Sequence, residues 1–259
     1  MAVYTDVQDR AWKRKGFRVS TLIESLQRLE ANANNDFRRV ALTQILLPLI
    51  PGKRVLDVGC GMGFMTEALV RAGRDVVPLD IELSLVRHTT QRINRYVPHG
   101  NGTLYAGYAV PFADQSFDTV VCLDVIEHVE DDSRLVKEFR RVLRPGGHLV
   151  LTVPALQLLY GQRDKNIGHY RRYDKPLLRQ RFTAAGFELR TLEYWNMLGV
   201  APYFAAERFL RRELPDTIRK GEPSPLRSMI AGALVRWLVL ERQLPLPFGL
   251  TLIAVGKKL

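Results

Sequence analysis

Val55-Leu56-Asp57-Val58-Gly59-Cys60-Gly61-Met62-Gly63 is the segment of this sequence best suited to chemistry: a short apolar run passes straight into alternate glycines, and a helical pattern follows. Alternate glycines let the backbone approach a ligand closely, and the helix behind them offers free N–H groups. A dinucleotide site would place its third glycine at position 64, but that residue is Phe64 and the glycine stands one place earlier. Asp57, just before the turn, would repel a phosphate and attract an ammonium, so NAD is disfavoured and a zwitterion carrying an amine is preferred. Taken alone, the glycines serve as well as simple turn formers. Further along, Glu127 and His128 follow another apolar run, and His169, Tyr170 and Tyr173 lie close together among arginines. An imidazole accepts a proton near neutral pH, although His128 suits a capping role equally well. Seven basic residues against two acidic ones give 160–182 a net charge of +5. Such a loop favours an anion or an aromatic ring, and it serves also as a solvated face.

The elements that must position these residues follow from hydrophobic spacing and from Gly and Pro punctuation. Val55–Val58 reads as a buried strand, Met65–Ala72 as a helix closed by Gly73, Val76–Leu79 as a strand ending at Asp80, and Glu82–Arg95 as a helix. A weak strand near Thr103–Tyr105, a strong one at Thr119–Leu123, a helix over Asp132–Leu143 and a strand at His148–Val153 continue the alternation. Pro145-Gly146-Gly147 reads as a helix stop and turn. Alternating strands and helices indicate an open, doubly wound parallel sheet, whose ligands bind outside the carboxyl ends of the strands. Glu127, His128 and the loop from Tyr160 to Tyr173 therefore face the ligand end. A helix begins at Asp174 and Pro176 and ends at Gly186, a strand runs over Phe187–Trp195, and the last strand is Leu250–Gly256. The stretch Asn196–Leu246 is too long for an ordinary connection and is expected to be a helical insertion. Together with amphipathic helices at Ser20–Leu29 and Asp36–Ile50, it is expected to cover the cofactor mouth.

The chain has 259 residues, 46% hydrophobic and 25% charged, which is ordinary globular composition and excludes a disordered or collagen-like protein. Its net charge of +11 favours anionic partners without choosing among nucleotides, nucleic acid and an acidic membrane face. Two cysteines, Cys60 and Cys122, sit in apolar runs, which excludes a disulfide scaffold and points to a reducing, cytoplasmic setting. The N-terminal residues show no secretory signal, and no apolar run reaches the roughly 18 to 20 residues needed to span a bilayer.

The glycine segment resembles the E/D-x-G-x-G-x-G loop of class I S-adenosylmethionine-dependent methyltransferases, with Asp57, Gly59, Gly61 and Gly63 matching one for one. The resemblance extends through Asp80, through Pro111–Asp118, through Asp124-Val125-Ile126-Glu127-His128-Val129 and through Glu138–Gly147. These ordered pieces are similar to the type 11 subgroup, which includes quinone-biosynthesis enzymes. The resemblance implies a seven-stranded Rossmann-like α/β sheet, six strands parallel and the last antiparallel. It divides the chain into an N-terminal helical cap (1–50), a cofactor-binding core (51–195), a helical insertion (196–247) and the last strand (248–259). It implies that S-adenosylmethionine, with S-adenosylhomocysteine as product, meets Asp57, Gly59, Cys60, Gly61, Gly63, Asp80, Ile81 and Asp124, the Asp80 carboxylate accepting the ribose hydroxyls. Where the family usually carries an Asp that bonds the adenine amino group, this sequence has Ala106.

Methyl transfer by in-line displacement from a sulfonium needs mainly positioning. A base is required only for a protonated acceptor, and His128 or His169 could supply it while Tyr170 or Tyr173 orients the acceptor. No metal cluster is expected from the histidine spacings. Aromatic and apolar residues interleaved with arginines in Asn196–Leu246 suit a peripheral membrane contact or a lipid-like substrate, and a helical cap or homodimer interface would bury the same aromatics. A small or lipid-linked acceptor is favoured over RNA because no RRM, KH or OB pattern is present. An RNA methyltransferase and a non-catalytic cofactor-binding module are the alternatives.

Overall fold

The computed structural model describes residues 36–97, 102–105, 108–205 and 225–259. Its strands are β1 (Arg54–Val58), β2 (Asp75–Asp80), β3 (Thr103–Leu104), β4 (Phe117–Leu123), β5 (Leu143–Pro154), β6 (Phe187–Trp195) and β7 (Thr251–Lys258). They form one seven-stranded sheet in the order β3-β2-β1-β4-β5-β7-β6. β1 through β5 pair in parallel, and β7 is inserted antiparallel between β5 and β6. Both faces of the central strands are covered, so β1, β4 and β5 read as nearly continuous apolar runs rather than alternating ones.

Two hydrophobic layers account for that cover. On one face Leu56, Val58, Val120, Cys122, Leu149 and Leu151 meet Leu135, Val136 and Phe139 of α4 (Asp132–Val142) and Leu178 and Phe182 of α6 (Lys175–Ala184). On the other, Val55, Val121, Val150, Ile253 and Val255 meet Ala41, Ile45 and Leu46 of α1 (Phe37–Leu46), Met65 and Leu69 of α2 (Phe64–Arg71), and Leu238 of α8 (Pro225–Leu240). The remaining helices are α3 (Leu83–Ile93), α5 (Gln162–Asn166) and α7 (Val200–Ala205). No helix among the described residues is long and apolar enough to cross a membrane.

The expected place of the outer helices is corrected here. α1 and α8 do not lie across the mouth of the sheet but along one of its faces, because the stripe Ala41, Ile45, Leu46 and the apolar side of α8 are buried together against Val121, Val150 and Trp195. Of the described insertion, α7 lies at the carboxyl end, held there by Tyr203. The expected helix at Ser20–Leu29, residues 206–224 and Ala106 lie outside the described residues. The helix before Pro145-Gly146-Gly147 stops at Val142, as expected, but the strand begins earlier than expected, at Leu143. Those three residues turn within β5, where pairing with β4 jumps from Phe117 and Leu143 to Thr119 and His148. Gly146 has φ +74°, and a Cβ on Gly147 would stand 2.9 Å from the Arg144 carbonyl oxygen.

Candidate functional site

Loops following the carboxyl ends of the strands carry most of the backbone strain. Asp124 after β4, Leu156 after β5 and Asn196 after β6 are three of the four non-glycine residues with positive φ among the described residues. Such strain persists only where surrounding contacts enforce it, and it concentrates at functional sites.

The glycine turn between β1 and α2 is built differently at each glycine. A Cβ on Gly59 would stand 2.3 Å from Val125 Cγ2, and one on Gly63 would stand 2.7 Å from the Thr89 side chain. Gly61, at φ +52°, has no atom nearer than 4.0 Å to its notional Cβ, so the space in front of it is open. Gly59 and Cys60 donate their N–H groups to the Leu79 carbonyl, and Thr89 Oγ1 donates to the Gly61 carbonyl at 2.8 Å. Asp80, 6% exposed, accepts from the Gly61 N–H at 3.0 Å and from the Glu82 N–H at 3.1 Å. Each carboxylate oxygen keeps acceptor capacity for a further hydroxyl. Asp57 lies beneath the turn, 2% exposed, accepting from Thr66 Oγ1. Burial, reinforced by the nearby Asp80 charge, pushes its carboxyl up to about 6. Ile81 packs against the core beside Asp80, and Asp124 is held by the Thr152 carbonyl and hydroxyl.

A second cluster sits on the loops after β4 and β5. The His169 Nδ1 is 2.9 Å from Asp164 Oδ1, and its Nε2 is 3.9 Å from Glu127 Oε1. His128 meets His169 edge to face, ring centroids 4.6 Å apart. Asp164 is completely buried and also accepts from Arg172 Nε at 3.0 Å, while Arg172 donates onward to the Tyr203 hydroxyl of α7. Burial alone would raise the Asp164 carboxyl, but hydrogen bonds from His169 and Arg172 hold it below its ordinary value. Glu127 is 1% exposed, and its Oε2 has no hydrogen-bond partner. Burial, with Asp124 close by, pushes its carboxyl well above the usual range. Glu127 and Tyr170 are tied through backbone, the Tyr170 N–H donating to the Glu127 carbonyl at 2.8 Å.

His128, His169 and Tyr170 are thus brought together. Tyr173 is not: it is completely buried, its hydroxyl donates to Asp132 Oδ2 at 2.7 Å, and burial next to that carboxylate pushes the hydroxyl far up. It is a structural residue, and its place in the reactive set is withdrawn. The basic loop also changes meaning, because Arg171 and Arg181 both pair with Asp132 at 2.8 Å and Arg172 pairs with Asp164. Three of its seven cations therefore neutralise buried carboxylates. Sequence reasoning missed Asp164, Arg172 and Tyr203, although Asp164 five residues before His169 was a readable signal. It also saw no metal cluster, whereas ligand atoms of Glu127, His128 and His169 all lie within 4.8 Å of one another. The two halves of that group are some forty residues apart in sequence, beyond the reach of spacing rules.

The methyltransferase-domain family matches residues 56–151. A probable S-adenosylmethionine-dependent methyltransferase of Mycolicibacterium smegmatis is 34% identical over 176 residues, 66% of this chain and 66% of the relative. The chain belongs to the class I S-adenosylmethionine-dependent methyltransferases, type 11. The ubiquinone biosynthesis O-methyltransferase of Ralstonia nicotianae is 28% identical over 177 residues, 58% of this chain and 70% of that protein. The match spans about two thirds of the length of these two relatives and 44% of the length of the ubiquinone biosynthesis O-methyltransferases of Xanthomonas. In fold this methyltransferase chain is similar to a Thermotoga maritima S-adenosylmethionine-dependent methyltransferase, described as a possible histamine N-methyltransferase. That likeness has a TM-score of 0.61 at 16% identity and covers 92% of this chain and 97% of the other.

The cofactor of this methyltransferase family is S-adenosylmethionine, and the glycine turn fits it. A Cβ at Gly61 would project into the open space in front of the turn, Asp80 retains acceptors for hydroxyls, and the Asp57 carboxylate beneath the turn complements an ammonium.

Proposed function

We propose that this chain transfers a methyl group from S-adenosylmethionine to a hydroxyl oxygen of a small or lipid-linked acceptor. Bound S-adenosylmethionine supplies an electrophilic methyl group on a sulfonium. Asp57, Gly59, Cys60, Gly61, Gly63, Asp80 and Ile81 hold and orient it, while the segment of Asp124 and Val125 closes the turn from the β4 side. The observation that carries the acceptor reading is the placement of His128 and His169 on loops beside that turn, with Val125, three residues before His128, packed against Gly59. In this reading the imidazoles, backed by Asp164, stand where an acceptor hydroxyl must lose its proton as the methyl arrives. Tyr170, on the same loop, borders the acceptor. The O-methyltransferase relatives support a hydroxyl acceptor.

Transfer of labelled methyl from S-adenosylmethionine to hydroxylated phenols, with and without an isoprenoid tail, tests the proposal against bulk RNA. Label in the phenols is expected. Label in RNA alone, with binding that weakens steeply as salt rises, would move the function to nucleic acid, and cofactor binding without turnover on any acceptor would leave a sensing module.

A further inference from the structure

We infer that Glu127, His128 and His169 form a binding site for one divalent transition-metal cation of the zinc class. The donors are two imidazoles and one carboxylate, a combination that suits Zn²⁺ better than the all-oxygen ligand sets preferred by Mg²⁺ or Ca²⁺. Their ligand atoms already lie within 4.8 Å of one another. Two ligands at about 2.1 Å from a tetrahedral cation stand about 3.4 Å apart. His169 Nε2 and Glu127 Oε1, at 3.9 Å, need to close by roughly half an ångström to share one.

Two independent features show that the group is built to face a cation rather than merely crowded. The first is Glu127 itself. Its side chain is 1% exposed, and its Oε2 is left without a hydrogen-bond partner. A buried carboxylate oxygen without a partner carries a desolvation cost that a cation would remove. The second is the support behind His169. Its Nδ1 is held by Asp164, which leaves Nε2 as the coordinating atom, and Asp164 is fixed in turn by Arg172 and through it by Tyr203. A carboxylate behind a ligating imidazole fixes the ring's tautomer and orientation, and its loss weakens metal affinity about 10- to 100-fold. Arg172 is fully committed to Asp164, the Ala155 carbonyl and Tyr203, so its charge is compensated below the site.

A cation here would leave positions for oxygen ligands from outside the protein. For that role the inference rests on the methyl-transfer reading and replaces its base: with His128 and His169 engaged as ligands, a hydroxyl bound to the cation would release its proton to water before its oxygen takes the methyl. For binding, the inference rests on the geometry alone.

The test is calorimetric titration of the chelator-treated full chain with Zn²⁺, with S-adenosylhomocysteine binding measured alongside to confirm the fold. One zinc per chain is expected. Glu127→Gln and His169→Gln should each weaken it at least tenfold and Asp164→Asn by about 10- to 100-fold, while His148→Gln, outside the cluster, leaves it unchanged. Wild type that takes up no stoichiometric zinc, or substituted chains that bind S-adenosylhomocysteine and zinc as wild type does, overturns the site. Should the substituted chains fail to fold, the visible spectrum of the wild-type chain with Co²⁺ decides: nitrogen-ligated bands support the site, and the aquo-ion spectrum refutes it. No acceptor is present in these titrations. A chain that binds zinc but methylates nothing refutes only the methyl-transfer reading, and a chain that methylates phenols without taking up zinc refutes only the metal site.

Discussion

The three glycines of the turn have different reasons to be glycine, and that difference can be measured. All three have positive φ, where a Cβ costs roughly 1–2 kcal/mol. Gly59 and Gly63 add collisions, with Val125 Cγ2 at 2.3 Å and with the Thr89 side chain at 2.7 Å, whereas the Cβ of Gly61→Ala would enter open space. Gly63→Ala should therefore lose a further 1–3 kcal/mol or so of unfolding free energy from overpacking, and Gly61→Ala should keep most of its stability while losing affinity for S-adenosylmethionine. Denaturant melts paired with calorimetry would show the split; equal losses of stability would remove the claim that Gly61 faces the ligand. Asp57 adds a pH dependence. Because burial pushes its carboxyl up to about 6, and because the ammonium of the cofactor favours the ionised form, affinity should rise with pH through that value and level off above it. Below it the loss should approach tenfold per unit. Asp57→Asn should bind more weakly and flatten this slope in titrations between about pH 5 and about pH 8, and a flat wild-type profile would contradict it. These roles were only partly readable. Position 61 could be called a close-approach glycine from its neighbours in sequence, but the packing partners Val125 and Thr89 come from other segments.

At the scale of elements, the instructive misplacement is that of α1 and α8. Amphipathic spacing marks a helix over Asp36–Ile50, of which 37–46 is α-helical, and says that one side is buried, but an apolar stripe does not say which surface buries it. The sheet offers both a mouth and a face. The face won because Val121, Val150 and Ile253 need cover there and Ala41, Ile45 and Leu238 supply it. Leu238 is 3% exposed, and its own backbone carbonyl accepts from Trp195 Nε1 at 2.8 Å. Leu238→Ala should cost about 2–5 kcal/mol through lost burial and the cavity left behind. With α8 on the face, the folded fraction should bind S-adenosylmethionine with unchanged affinity. A thermal melt and a titration below the transition check the two halves, and a variant of normal stability with weakened cofactor binding would return α8 to the mouth. The same limit explains the basic loop: composition counted its charges, but only the fold shows Arg171 and Arg181 meeting on Asp132 and Arg172 meeting Asp164.

For the whole molecule, the alternation of strands and helices was legible because a parallel sheet buried on both faces writes each strand as an apolar run between glycine and proline signals. The order of the sheet and the reversed last strand came with the resemblance, since no local pattern distinguishes an antiparallel strand inserted between β5 and β6 from a parallel one at an edge. Because the proposed cofactor site draws on β1, β2 and β4 together, its occupation should stabilise the sheet as a unit. At a ligand concentration of about one hundred times the dissociation constant, binding adds about 2.7 kcal/mol. At roughly 2–4 °C per kcal/mol for a domain of this size, S-adenosylmethionine and S-adenosylhomocysteine should each raise the melting temperature by roughly 5–10 °C, and NAD should not raise it at all. Asp80→Ala removes a charged acceptor, costing about 1.5–3 kcal/mol of binding. At the same ligand concentration the added stability should then fall to roughly 0.3–1.3 kcal/mol. A thermal shift with NAD, or a shift with S-adenosylmethionine that Asp80→Ala leaves intact, would mean that the glycine turn and the end of β2 do not hold the cofactor.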